Sequence, residues 1–367
     1  MAKTKMQALL ELGQSVWLDY LRRGMTRSGE LDALIDDGLR GMTSNPTIFE
    51  QALSSTDYDD ALGERSSSSG TEREVFEGLA IEDVREAADH FRRVYDATQG
   101  ADGFVSLEVS PSLARDTEGT AAEARRLWKA VDRPNVMIKI PGTREGWPAI
   151  ERCLRDGINI NITLLFSIEH YKAVAEAYLR ALEARVAAGQ PIGRLASVAS
   201  FFVSRVDTEI DKRLQARGGS SLELRGKAAI AGARLAYAFF LEISASERWR
   251  ALAAKGARPQ RLLWASTGTK NPAYSDVLYV DSLIGPDTIT TVPVETLKLF
   301  EDHGIVKQTL GGDSAKEAAR VLEALAAGCV DLKDVNDTLE REGIEKFQKS
   351  FDSLLGKIAQ KRKSLVR

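Results

Sequence analysis

Cysteine is scarce in this chain. Cys153 and Cys329 are the 2 cysteines in 367 residues, far apart and without CxxC or Cys/His spacing. Neither a disulfide framework nor a zinc site has support, and a reducing cytoplasm fits. The 3 histidines, His90, His170 and His303, fall in helical or loop contexts without an evident partner and read as structural. No stretch reaches the about 18 apolar residues needed to span a bilayer. The start, MAKTKMQALLELGQSVW, lacks the apolar core and cleavage site of a secretory signal. The expectation is a soluble cytoplasmic protein without a membrane partner. Charge of one sign is also missing: 50 Lys+Arg against 53 Asp+Glu give a net −3, mixed along the whole length. That pattern offers no footprint for nucleic acid. The short basic end at Lys361, Arg362 and Lys363 reads as a solvated, frayed terminus. The Gly-rich dinucleotide fingerprint is absent after the first strand-like run, and no internal repeat or linker divides the chain.

What is present is a composition of 43% hydrophobic and 28% charged residues, that of an ordinary globular protein with a substantial core. Strand-like runs at 15–19, 38–43, 103–110, 135–140, 158–165, 194–200, 261–267 and 288–292 alternate with helical patterns. Alternation argues for βαβ units and parallel pairing, and this number of units closes a barrel. An open doubly wound sheet gives the same alternation, but the missing fingerprint disfavours it. The expected fold class is therefore α/β: a (β/α)8 TIM barrel with additional N-terminal, inserted and C-terminal helices, in a single domain over 1–367. A barrel needs roughly 250 residues, so the surplus lies in additions. The Ser-rich, polar stretch 51–72 reads as a flexible insertion. Ile344, Phe347, Phe351, Leu354, Leu355 and Ile358 repeat at helical spacing and predict C-terminal helices, 313–360, packed on the barrel.

Parity within the strands places the chemistry. Phe104, Ser106, Glu108 and Ser110 share one face, opposite Val105, Leu107 and Val109. Asn159, Asn161 and Thr163 oppose Ile158, Ile160 and Ile162, and Met137 and Lys139 oppose Val136, Ile138 and Ile140. Parallel strands buried on both faces read apolar on both. Polar residues toward the C-terminal ends thus imply a barrel interior opening into a site at that mouth, where barrel enzymes place their chemistry.

Lys139, in NVMIKIPGT, is the conspicuous residue. Keeping an amine from water favours its neutral form, and a neutral amine can attack a ketone to form a Schiff base. Alone, Lys139 reads rather as an ion-pair partner for an inward carboxylate such as Glu108, serving packing only. Asp19, Glu108, Asn161 and Ser200 end other strands, and Asn45 follows the second. Acid, amide and hydroxyl groups converging on one lysine make a candidate site. Each has a plainer reading too. Asp19 can be a helix N-cap, Asn45 before Pro46 ordinary turn chemistry, and Asn161 and Thr163 partners for neighbouring backbone. Arg205 can be a surface helix residue, and Trp17 and Trp264 core.

The ordered set GMTSNPTIFEQAL, VSLEVSPSLARD, NVMIKIPGT, GININITLLFS, SVASFFVSRVD and WASTGTKNPAYSD resembles the transaldolase family, in its longer bacterial subfamily, over residues from about 10 to 360. The resemblance implies transfer of a dihydroxyacetone unit between phosphorylated sugars: sedoheptulose 7-phosphate, glyceraldehyde 3-phosphate, erythrose 4-phosphate and fructose 6-phosphate. It implies no metal and no cofactor, and a monomer or homodimer. On the family pattern Lys139 forms the Schiff base and Asp19 is the acid/base. Glu108, helped by Thr163, holds a proton-shuttling water. Asn45 and Asn161 bind donor hydroxyls, with Thr43, Ser200 and Phe202 beside them. Arg205 and Ser266 hold the phosphate. Shorter members carry a further arginine where this chain reads STGTKNP, and Lys270 is the matching cation; an ammonium supplies charge without bidentate geometry. The related fructose 6-phosphate aldolases share the Schiff base but carry Gln and Tyr at the positions of Glu108 and Phe202. A non-catalytic sugar-phosphate-binding barrel is the rival of another class.

Overall fold

The computed structural model describes residues 3–66, 70–328 and 330–365. Its centre is a closed barrel of parallel strands in chain order: β1 (Gln14–Leu18), β2 (Leu39–Thr43), β3 (Phe104–Glu108), β4 (Val136–Pro141), β5 (Ile160–Leu165), β6 (Ser197–Phe202), β7 (Arg261–Ala265) and β8 (Thr288–Val292). β1 pairs with both β2 and β8, which closes the ring and leaves no sheet edge. Helices follow the strands and form the outer layer, as the alternation predicts. One strand begins later than its sequence pattern suggests. Arg194 belongs to a turn closed by the Leu195 N–H donating to Ile192 O at 3.2 Å, and β6 runs from Ser197 into Phe201 and Phe202.

The parity reading describes the barrel well. Val136, Ile138, Ile160 and Ile162 are fully buried against the helices, while Thr43, Lys139, Thr163, Ser200 and Thr291 face a cavity at the C-terminal mouth. Lower in the barrel, Trp17 fills the interior with no exposure. This depends on Gly41, since a Cβ there would lie 2.6 Å from the indole ring. Trp264 is equally buried and packs edge-on against Phe201, centroids 6.3 Å apart. Both tryptophans are therefore core, as their plainer reading held.

β5 ends irregularly. Leu164 adopts φ 59°, and the pairing with β6 shifts register between Ile162 and Leu165. Ser266, just past β7, has φ 58°. Left-handed backbone at non-glycine residues is costly and clusters at functional sites, and these two positions flank the mouth.

The helix Leu332–Leu365 lies across that mouth, with Phe347, Phe351, Leu354 and Ile358 of the expected stripe buried. Each such side chain contributes about 1.5–3 kcal/mol on burial. Phe351 meets Phe76 edge-on at 5.6 Å, and Phe76 meets Phe49 at 5.3 Å. Polar ties fix the same helix to the helix Pro46–Ala52: Ser350 Oγ lies 2.9 Å from Thr47 Oγ1, and Ser353 donates to Glu50 at 2.6 Å.

The basic end is not frayed. Lys361 pairs with Asp59 at 2.6 Å, and Arg362 donates to Gly70 O at 2.8 Å. Complementary charge on the inserted segment holds it there. Within 51–72, described residues form a 3-10 turn (Thr56–Tyr58) and the helix Asp59–Ser66, and Thr71 caps the helix Glu72–Ala97 through a reciprocal bond with Glu74. Residues 67–69 of this stretch lie outside the described residues. Tyr58 is buried and donates to Asp83 at 2.7 Å, which ties the segment to the helix Glu72–Ala97.

Cys153 is buried, with its thiol pushed up to about 12 by desolvation; Cys329 lies outside the described residues. The reading that no stretch is long and apolar enough to span a bilayer needs one correction. The helix Ala228–Ala245 has 18 residues with mean hydropathy 1.4, enough by length and composition alone. It packs against the helices Ser204–Arg217 and Ser314–Ala327 and against β7, which accounts for much of its apolar content.

Candidate active site

Lys139 sits on the wall of a cavity of about 260 Å³ at the C-terminal mouth and is 4% exposed. Its strand neighbours in register are Glu108 on β3 and Asn161 on β5. Lys139 Nζ donates to Ser44 O at 3.3 Å and stands 3.5 Å from Glu108 Oε2. The latter is an ion pair too long for a strong hydrogen bond. Burial pushes the Glu108 carboxyl above the usual carboxylate range, with Lys139 opposing the shift. Lys139 therefore combines the two readings open from sequence: it has a carboxylate partner, and it faces a cavity.

Asp19 continues from β1, its N–H donating to Val292 O at 2.9 Å, and its carboxylate accepts from Thr43 Oγ1 at 2.7 Å. It caps no helix, since the next one starts at Arg23 with Arg22 as its cap residue. Asn45 does fill a capping role: Oδ1 accepts from Ile48 N at 3.0 Å ahead of Pro46, while the residue also lines the cavity. Asn161 is held on both ends of its amide, donating to Ser106 Oγ at 3.0 Å and accepting from Ser200 Oγ at 2.7 Å. It is fully buried beside Lys139 and outside the cavity lining, whereas Ser200 and Thr163 are in it. Thr163 Oγ1 and Glu108 Oε2 are both buried without a hydrogen-bond partner among the described residues.

The opposite side of the cavity is cationic. The Arg205 guanidinium lies between two rings, 5.1 Å from Phe202 and 5.6 Å from Phe347. Burial lowers its pKa, with Asp19 and Glu108 pulling the other way. Ser266 Oγ is 2.9 Å from Ser204 Oγ, and Lys270 also lines this side. Among the described residues no group of His, Cys, Asp and Glu could hold a metal ion.

Comparison with known proteins agrees with this geometry. The family model described as Transaldolase/Fructose-6-phosphate aldolase matches residues 16–358. A transaldolase of Saccharopolyspora erythraea is 53% identical over 354 residues, covering 96% of each chain. One of Thermobifida fusca is 51% identical over 362 residues, 97% of each. Transaldolase 2 of Nostoc is 45% identical over 379 residues, covering 100% of this chain and 99% of its own. The chain belongs to the transaldolase family.

It is thus an enzyme of transaldolase type, and the family implies sugar-phosphate substrates. Sequence reasoning names half of the residues lining the transaldolase cavity, because those residues sit at strand ends or in motifs. It missed Lys346 and Phe347, which reach the cavity from the C-terminal helix. The apolar stripe marked Phe347 as packing on the barrel, but nothing in its spacing said that the neighbouring lysine enters a site. The histidines do have partners: His90 lies 3.0 Å from Asp32, His303 2.8 Å from Asp276, and His170 3.7 Å from Glu340. None of them lines the cavity.

Proposed function

We propose that the chain moves a dihydroxyacetone unit from sedoheptulose 7-phosphate to glyceraldehyde 3-phosphate, yielding erythrose 4-phosphate and fructose 6-phosphate, the non-oxidative pentose phosphate reaction. The observation carrying this reading is Lys139, an almost wholly buried amine on the wall of a cavity that also holds the Asp19 carboxylate.

The amine of Lys139 adds to the donor ketone, and loss of water from the carbinolamine leaves an iminium. Asp19 takes the C4 hydroxyl proton as the C3–C4 bond breaks; the bonding pair passes to the iminium, and the aldehyde departs. The resulting enamine attacks the acceptor aldehyde, Asp19 returns the proton, and water releases the product from Lys139. Glu108 on β3 and Thr163 on β5 flank the strand of Lys139 on its two sides. Their unpartnered buried oxygens support a role in holding the water that carries protons during carbinolamine formation and loss. Asn45, Asn161, Thr43, Ser200 and Phe202 shape the donor end, and Arg205, Ser266 and Lys270 the phosphate end. The scheme uses no cofactor. We further read the chain as one barrel domain acting in the cytoplasm; one copy carries every named residue, so a monomer or a homodimer serves equally.

Borohydride added with fructose 6-phosphate tests the reading. The expected result is a stable adduct mapped to Lys139, with slow turnover of fructose 6-phosphate alone and strong acceleration by an acceptor aldehyde. An unmodified Lys139 would support a barrel that merely binds sugar phosphates. Rapid release of free dihydroxyacetone without acceptor would identify a fructose 6-phosphate aldolase.

A further inference from the structure

The cationic side of the cavity is richer than the sequence motifs suggested. Arg205, Lys270 and Lys346 all line it, and no ion pair to a protein carboxylate is formed by any of them among the described residues. Lys346 is exposed and at the same time contributes to the cavity lining. Partial desolvation lowers its ammonium, and the like charges of Arg205 and Lys270 lower it further. Cations brought together without a counterion repel one another, so the arrangement is most favourable with an anion between them.

The helix that carries Lys346 is fixed closely enough to make this a built feature. Gly343, one turn earlier, brings the helix so near that a Cβ would sit 3.1 Å from Leu164 Cδ2 and 3.5 Å from Arg205 Nη1. Phe347, the next residue, covers one face of the Arg205 guanidinium. Ser350 holds Thr47, itself in the cavity lining. Gly343, Lys346, Phe347 and Ser350 recur at spacings of 3 and 4 residues, which on an α-helix is one face.

We propose that Lys346 is a substrate-binding and specificity-determining residue, delivered by the C-terminal helix to the terminal phosphate of the sugar opposite Arg205 and Lys270. This rests on the reading of that side as the phosphate end. A phosphate dianion brings two charges and several acceptor oxygens, and Lys270 supplies charge without bidentate geometry; a further ammonium adds both positive charge and donors for those oxygens.

The test compares wild type, Lys346→Gln and Lys346→Arg, with circular dichroism confirming equal folding. Affinity for inorganic phosphate is read by calorimetric titration. Steady-state constants are read from glyceraldehyde 3-phosphate release with fructose 6-phosphate as donor and either erythrose 4-phosphate or unphosphorylated erythrose as acceptor. In Lys346→Gln, phosphate binding and KM for the phosphorylated substrates weaken by about 10- to 100-fold, the range for one hydrogen bond to a charged group. The effect on kcat is much smaller, the preference for the phosphorylated acceptor shrinks, and Lys346→Arg recovers most of the loss. Phosphate affinity equal in wild type and Lys346→Gln would overturn the assignment, as would an equal loss with both acceptors. Titration needs no turnover, so Lys346 is judged even if no adduct forms on Lys139 and the catalytic reading fails.

Discussion

Lys139 and Glu108 lie opposite each other in register on adjacent strands, with Nζ 3.5 Å from Oε2. The contact is close enough for each charge to matter to the other and long enough to leave the amine free to reach a ketone. Desolvation raises the carboxyl of Glu108, so it holds a proton more readily than an exposed glutamate. A carboxyl that can exist in both forms suits proton delivery to a departing hydroxyl.

Lys139→Ala should give no borohydride-trapped adduct and no turnover. Glu108→Gln keeps the shape but cannot exchange a proton. The rate of adduct formation, followed by timed borohydride quench, should fall by about 10²- to 10⁴-fold, the usual contribution of a general acid or base. A wild-type rate in Glu108→Gln would remove this carboxyl from the step.

Asp19 should separate from Lys139 in a kinetic sense. Asp19→Ala retains the amine and the cavity, so the adduct still forms, whereas C–C cleavage slows by about 10²- to 10⁴-fold. Single-turnover release of erythrose 4-phosphate from sedoheptulose 7-phosphate reads this directly. If the adduct itself is lost, the role given to Asp19 is wrong. Thr43→Val, which removes the 2.7 Å hydrogen bond to the carboxylate, should show a weaker form of the same defect.

Why the strand-borne half of the site was legible from sequence, and the other half was not, follows from how each is encoded. On a strand, period-two alternation assigns every side chain to a face, so Lys139, Glu108 and Thr163 declare themselves as polar residues on the inward side. Asp19 and Asn45 were legible as chain-order features at strand ends. Lys346 has no such marker. It is one lysine among many on a long charged helix, and only the packing of Gly343 against Leu164 and Phe347 against Arg205 turns it toward the cavity. The order of the basic end was hidden for a related reason: the partner of Lys361 is Asp59, about 300 residues earlier, in a stretch whose serines read as loop.

The C-terminal helix should matter for stability as well as for the site. Phe351 is 7% exposed and packs edge-on against Phe76. Phe351→Ala should cost about 3–5 kcal/mol, read as a lower denaturant midpoint. Because the same helix carries Phe347 and Lys346, KM for fructose 6-phosphate should rise in this variant at temperatures where the fold is intact. An unaltered KM would mean that the helix keeps its place at the mouth without this anchor.

Asp207 gives a pH dependence away from the chemistry. It is 1% exposed, accepts from Ala229 N at 2.8 Å and from Tyr279 Oη at 2.9 Å, and burial still outweighs both bonds, lifting its carboxyl to about 6. The unfolded carboxyl titrates near 3.8. Between these values the folded state holds a proton that the unfolded chain has released. The stability from this group is therefore complete below the unfolded value and is lost as pH rises through about 6. A shift of about two pH units corresponds to roughly 3 kcal/mol. Asp207→Asn keeps an acceptor for Ala229 and an amide for Tyr279 but does not titrate. Relative to wild type, its denaturant midpoint should thus improve between pH 4 and pH 7. If the two proteins differ by the same amount at both values, Asp207 is ionised in the fold throughout, and its two hydrogen bonds offset burial entirely.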